Sequence, residues 1–202
     1  MKWKKFKIPL LTIFFIGLYL STVYGPSFIE SAIRRHERYD SEISDSTGHI
    51  IAGKREGVWK HFDRKGRLRR IQEFKSDTLN GKDFFYDSNG NPKLFQFYYK
   101  GVLVDTSKFF VDGWLNYSEY RDSNGVLQGD FKTFVKGVKV QEGNYKDGEY
   151  HGTFKTYYQE TGQVKEIYFY ENGEETGTWK FYDKAGNLER TIEKKATAGN
   201  NG

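Results

Sequence analysis

Four histidines, His36, His49, His61 and His151, are the first residues in this chain that could do chemistry. None pairs with another at the i, i+4 spacing that sets two imidazoles on one helical face, and no cysteine completes a metal set. His151 shares a column with Glu56, Asn80, Gln128 and Thr176, which reads as a variable turn position. His61 stands beside Trp59 in a strand-like run and reads as packed or solvated. Among the acids, Asp63, Asp87 and Asp183 each open an Asp-x-x-Gly motif, so they read as turn formers before they read as acid and base. Glu166, Glu171 and Glu174 gather near one turn as a solvated edge. There is no P-loop, no dinucleotide fingerprint and no Gly-x-Ser-x-Gly. The residues point away from catalysis, and towards neither a cofactor nor a metal. What remains is a cationic series, Lys60, Lys132, Lys155 and Lys180, each three residues after a glycine. Such a ladder suits anionic headgroups or an acidic partner. The plainer reading, and the favoured one, is that lysine stems cover aromatic rings and their charges blunt sheet edges.

The glycines that set this spacing define a repeat. Gly57, Gly81, Gly129, Gly152 and Gly177 precede aromatic strands at steps of 24, 48, 23 and 25. The glycines that close those strands, Gly66, Gly90, Gly113, Gly137, Gly162 and Gly186, step by 24, 23, 24, 25 and 24. A third column, Gly53, Asp77, Gly101, Gly125, Gly148 and Gly173, keeps the same phase. Six units of about 24 residues follow, with one degenerate unit near Val104 and Asp105 where the first glycine is missing.

Each unit reads as two strands. "GVWKHFDRKG" and "GTWKFYDKAG" show the first strand running into its Asp-x-x-Gly turn; "RLRRIQEF" and "QVKEIYFY" show the second. Asp at the first turn position caps the backbone and Gly at the fourth accepts positive φ, which makes a hairpin. A chain reversal about every 12 residues predicts an antiparallel meander. Five residues past the opening glycine stand Phe62, Tyr86, Phe134, Tyr157 and Tyr182, with Phe109 or Phe110 serving the degenerate unit. Two past it stand Trp59, Phe131, Phe154 and Trp179. Offsets of two and five differ in parity, so these rings face opposite sides of the sheet. The second strands add Phe74, Tyr98, Tyr145 and Tyr170. Rings suit a single thin sheet because each covers about 150–250 Å². Tyr157→Ala is expected to cost about 3–5 kcal/mol, as core truncations do.

The ends are different in kind. Lys2, Lys4, Lys5 and Lys7 supply four of the five net charges, leaving +1 for the rest of the chain, so the basic character is not a phosphate-binding face and nucleic acid is not expected as a partner. Ile8 to Gly25 follows without a charge, long enough at about 1.5 Å per residue to cross a bilayer core. Lysines before it predict an inside N-terminus and an outside array, anchored by residues 1–26. A cleaved signal peptide, and hence a secreted protein, is the alternative, disfavoured by Pro26 after the best small-residue exit. Residues 27–49 read as a short helix with an Ser27/Glu30 capping box and a polar linker. The array spans 50–195, and 196–202 reads as a disordered tail.

"YKDGEYHGTFKTYY", Tyr145 to Tyr158, resembles the MORN repeat, with its aromatic-x-x-Gly, a second Gly and an aromatic strand. The array over residues 50–195 resembles bacterial MORN-variant proteins, many of them labelled a YwqK-type antitoxin family. The resemblance implies an all-β, elongated single-sheet meander of about six hairpin units, preceded by the N-terminal hydrophobic helix. It also implies a non-enzymatic scaffold that contacts a membrane or a partner protein. The expected function is an envelope-displayed module binding a protein or cell-envelope component. An antitoxin or immunity protein is the alternative, and direct contact with anionic lipid a weaker one.

Overall fold

The structure, a computed structural model, describes residues 43–194. The leader expected over 1–26, the helix expected within 27–39 and the tail expected over 196–202 lie outside the described residues. Fourteen strands follow in chain order: β1 (Ile43–Ile51), β2 (Lys54–Asp63), β3 (Leu68–Lys75), β4 (Thr78–Tyr86), β5 (Pro92–Tyr99), β6 (Val102–Val111) and β7 (Trp114–Arg121). Then come β8 (Gly129–Val135), β9 (Val138–Lys146), β10 (Glu149–Tyr150), β11 (Gly152–Tyr157), β12 (Val164–Glu171), β13 (Glu174–Tyr182) and β14 (Leu188–Lys194). They form one open antiparallel sheet in sequence order, with the two-residue β10 pairing only with β9. The meander expected from the turn spacing is therefore present.

Two kinds of turn build it. In the long kind, Gly66 N–H donates to the Asp63 carbonyl at 2.8 Å, while the Asp63 carboxylate accepts from the Lys65 and Arg67 amides at 2.9 and 3.1 Å. The same closure recurs at Asp87–Gly90, Asp122–Gly125 and Asp183–Gly186. In the short kind, two successive residues take positive φ, as in Lys100–Gly101 and Asp147–Gly148, the twist that suits a tight hairpin. Gly125, grouped by spacing with the short turns, sits in a long one.

The hairpins share an irregularity that spacing alone does not reveal. Arg69, Lys93, Asn116, Val140, Lys165 and Glu189 are each the extra residue of a one-residue bulge near the long or short turn of their hairpin. A second slip, of two residues, surrounds Gly81, Asp105 and Gly177. This corrects one expectation. Gly129 and Gly152 do begin strands, but Gly57, Gly81 and Gly177 lie inside β2, β4 and β13, all with positive φ, and at Gly81 and Gly177 this accompanies the slip in register. Asp105 takes φ 61° at the place the missing glycine would hold, so the degenerate unit keeps the backbone of its neighbours.

The polar stretch expected as a linker through residue 49 is instead strand β1 from Ile43 onward. Gly48 explains why it can pair there: a Cβ at this position would overlap the Trp59 ring.

Pairing puts the two parities of each strand on different faces, and burial is one-sided. Phe74, Phe85, Phe131, Phe154 and Trp179 all lie on one face, together with buried His61, Gln72, Asp83, Ser107, Glu119 and Thr156. We call it the buried face. Along it rings touch in series from Phe109 through Tyr117, Phe131, Phe154 and Tyr168 to Trp179. Phe131 is the hub, with ring centroids of Tyr117, Tyr145, Tyr150 and Phe154 at 6.2, 5.0, 5.7 and 5.3 Å. Gly143 stands opposite it in β9, because a Cβ there would come within 2.6 Å of the ring.

Candidate functional site

The lysine series lies on the face opposite the buried one. Lys60, three residues past Gly57, pairs with Ile71, and the pairing continues without a break through Phe84, Phe95, Lys108, Ser118 and Lys132. It runs on through Glu142, Lys155, Ile167 and Lys180 to Thr191. One residue from each of twelve strands thus forms a single row across the sheet. The structure brings all four sequence-derived lysines, Lys60, Lys132, Lys155 and Lys180, into this row. It adds Lys108, which no glycine precedes by three residues because Asp105 stands in the glycine column. From Lys108 to Lys180 a lysine recurs every second strand, about 9.5 Å apart by ordinary strand spacing.

The row's charges are little spoken for. Lys60, Lys108, Lys155 and Lys180 form no ion pair among the described residues. Lys132 has only Asp130, at 3.9 Å, with both side chains well exposed. Glu142, the acid within the row, is engaged by Lys139 at 2.7 Å and accepts from the Tyr157 hydroxyl. Burial alone would raise the Glu142 carboxyl, but those two hydrogen bonds outweigh it and hold it below its ordinary range. Lys139 is correspondingly held above its own, chiefly by its hydrogen bond to Glu142.

Beside the row runs a second, mostly apolar one. It holds the five-offset rings Phe62, Tyr86, Phe134, Tyr157 and Tyr182, joined by Phe110, and their partners Leu68, Pro92, Leu115, Val164 and Leu188, with the charged Lys139 opposite Phe134. These rings are half-buried. Of the two candidates for the degenerate unit, Phe110 takes the five-offset place, and Phe109 faces the buried side.

The two-offset column shows where the faces change character. Trp59, Phe131, Phe154 and Trp179 hold it in four units, but Asp83 and Ser107 hold it in the other two, both with no exposed surface. Asp83 is clamped by Arg70, Nε to Oδ1 at 2.7 Å and Nη2 to Oδ2 at 2.9 Å, with the guanidinium over the Phe85 ring. Gln72, oriented with its carbonyl toward Arg70 at 2.9 Å, donates to His61 Nε2 at 3.0 Å. His61 Nδ1 lies 2.7 Å from the Ser46 hydroxyl. His61 is thus a buried member of a structural network. In compensation the lysine face carries rings at this level: Phe84 stacks on Phe95 at 4.2 Å, and Phe97, Tyr86 and Phe110 surround them. No single repeat column foretells this exchange, since it needs the register of two neighbouring strands.

The remaining glycine positions act through backbone. Gly66, Gly90, Gly162 and Gly186 sit in turns, each with positive φ. Burial lifts the Tyr117, Tyr145 and Tyr150 hydroxyls far above their usual range, and Tyr170 to about 12. Among the described residues no group of three His, Asp or Glu side chains is placed to hold a metal ion.

No protein-family model matches this chain, and no curated protein does. Among solved structures it is similar to the crystal structure of TarM, with 12% identity over 81% of this chain and a TM-score of 0.30. A point mutant of S. aureus TarM, crystallised with fondaparinux, alpha-GlcNAc-glycerol and UDP, gives 10% identity, 81% coverage and a TM-score of 0.23. The chain spans about a quarter of the length of each, 26% and 27%.

Proposed function

We propose that this protein is a non-enzymatic scaffold of about six MORN-like units, displayed at the cell envelope by its N-terminal segment, that binds a partner through its lysine face. The observation that carries the reading is the twelve-strand row, in which lysines, all but Lys132 without an ion pair, recur beside half-buried rings. Aromatic and cationic side chains together are the usual anchors of a binding surface. A sheet whose strands follow in sequence order offers such anchors at fixed spacing, strand after strand.

The test is capture from a detergent-solubilised membrane fraction with the full 202-residue chain as bait. A parallel bait carries Lys108→Gln, Lys132→Gln, Lys155→Gln and Lys180→Gln. The reading expects a component retained by the first bait and lost from the second, with both equally folded by circular dichroism. Equal retention by the two baits contradicts it.

A further inference from the structure

We propose that the row Lys108, Lys132, Lys155 and Lys180 is a track for an extended anionic polysaccharide bearing about one charge per disaccharide. The inference rests on the scaffold reading and specifies its partner. Three observations carry it.

The first is spacing. Lysines on every second strand place cations about 9.5 Å apart along a line across the strands. A duplex nucleic acid carries a phosphate about every 3.4 Å of each strand, far denser than this row. An extended acidic peptide shows one face a side chain about every 6.8 Å and drifts out of step within two units. Two pyranose rings of an extended β-linked chain measure about one period of the row.

The second is the stripe alongside. Phe110, Phe134, Tyr157 and Tyr182 repeat on the same alternate strands as the four lysines and on the same face. Each period therefore offers one cation and one half-buried ring, and at Tyr157 a second cation, Lys139, lies over the ring, so the apolar contact there falls on the neighbouring Phe134 and Tyr182. A pyranose has an apolar C–H face that packs on a ring, while its carboxylate or sulfate reaches the ammonium. A polymer with one anion per two sugars presents both features at that period.

The third is charge. The groups facing the track are Glu142, tied to Lys139, Asp130 beside Lys132, and Glu193, which accepts from the Thr178 hydroxyl two residues before Lys180. Against these three acids stand Lys108, Lys132, Lys139, Lys155 and Lys180, so the track is net cationic though the chain beyond its N-terminus is nearly neutral. Its field falls off within a Debye length of about 8 Å at physiological salt, so a polyanion must lie along it to be held.

Hyaluronan oligosaccharides, with one carboxylate per disaccharide, are the probe, titrated calorimetrically at low ionic strength into the full chain. Affinity should climb with length and level off near about eight rings, where four anions meet four lysines. Each single Lys→Gln change should weaken binding about threefold, as for an exposed ion pair, and the quadruple change should remove it. A control with Lys54→Gln, Lys65→Gln, Lys136→Gln and Lys146→Gln has the same net charge off the track and should bind within about twofold of the parent. Three results overturn the proposal: affinity independent of length, equal loss in the control, or poly-glutamate of equal charge binding as tightly. If hyaluronan does not bind but the quadruple track variant still loses its membrane component, the polysaccharide assignment fails and the scaffold reading stands. If neither binds, both fail.

Discussion

Truncating one ring on each face asks whether the sheet is held from one side. Phe131 is 2% exposed and meets four other rings. A fully covered ring of about 150–250 Å² is worth about 4–6 kcal/mol as an upper bound, and Phe→Ala in a core costs about 3–5 kcal/mol. Phe131→Ala is expected near the middle of that range, about 4 kcal/mol, since Gly143 opposite has no side chain to fill the void. Tyr157 lies on the lysine face, half-buried, held through its hydroxyl to Glu142 and by Lys139 4.6 Å above its ring. Its truncation should cost about 1–2 kcal/mol, a partial transfer term plus one hydrogen bond, which is less than ring size alone suggests. A urea melt followed by circular dichroism reads both. The midpoint of Phe131→Ala should fall below that of Tyr157→Ala by about 1 M, given a slope of about 1–3 kcal/mol per M. Equal midpoints, or the reverse order, would refute one-sided support.

Other perturbations probe the backbone and the charges. Asp105→Gly should leave stability within about 0.5 kcal/mol of the parent, whereas Asp105→Val should cost about 1–3 kcal/mol, because φ 61° excludes a branched side chain; thermal melts of both variants decide it. Gly143→Ala should cost about 1–3 kcal/mol by forcing the Phe131 and Phe154 rings apart, and a melt unchanged from the parent would show that the rings move freely. Acidification should destabilise the array. The Arg67 guanidinium holds the Asp63 carboxyl well below its ordinary range, and Asp77, Asp87 and Asp183 are also lowered. A depressed folded value means the stabilisation is full above the unfolded pKa and is lost as pH falls below about 4. Asp63→Asn should flatten that fall. At the alkaline end the sign reverses for the buried tyrosines. Tyr117, Tyr145 and Tyr150 ionise far more readily unfolded, so stability should drop as pH rises past about 10, with their absorbance change appearing only on unfolding.

The repeat was legible because its turns are local. Asp63–Gly66 and Asp183–Gly186 close through contacts within five residues, and their chemistry can be read from residue types alone. Alternation likewise separated Trp59 from Phe62. What escaped depends on register between strands. Lys108 was hidden because aspartate replaces glycine at position 105, although both residues tolerate a left-handed backbone. Strand β1 was hidden by its polar composition; it pairs as an edge strand, and Gly48 clears the Trp59 ring. The burial of Asp83 was least foreseeable, since its partner Arg70 belongs to the neighbouring strand and the pair interrupts a column otherwise aromatic or small. Removing one member of such a buried pair costs far more than the pair contributes.

The most direct measurement of the central claim is lysine footprinting by mass spectrometry. Full-length protein is acetylated briefly, alone and in the presence of the membrane fraction, and each lysine's modification is compared. The account predicts selective protection of Lys108, Lys132, Lys155 and Lys180, with Lys54, Lys65, Lys136 and Lys146 unchanged. Protection confined to the second set, or spread evenly over both, would contradict a binding surface on the lysine face.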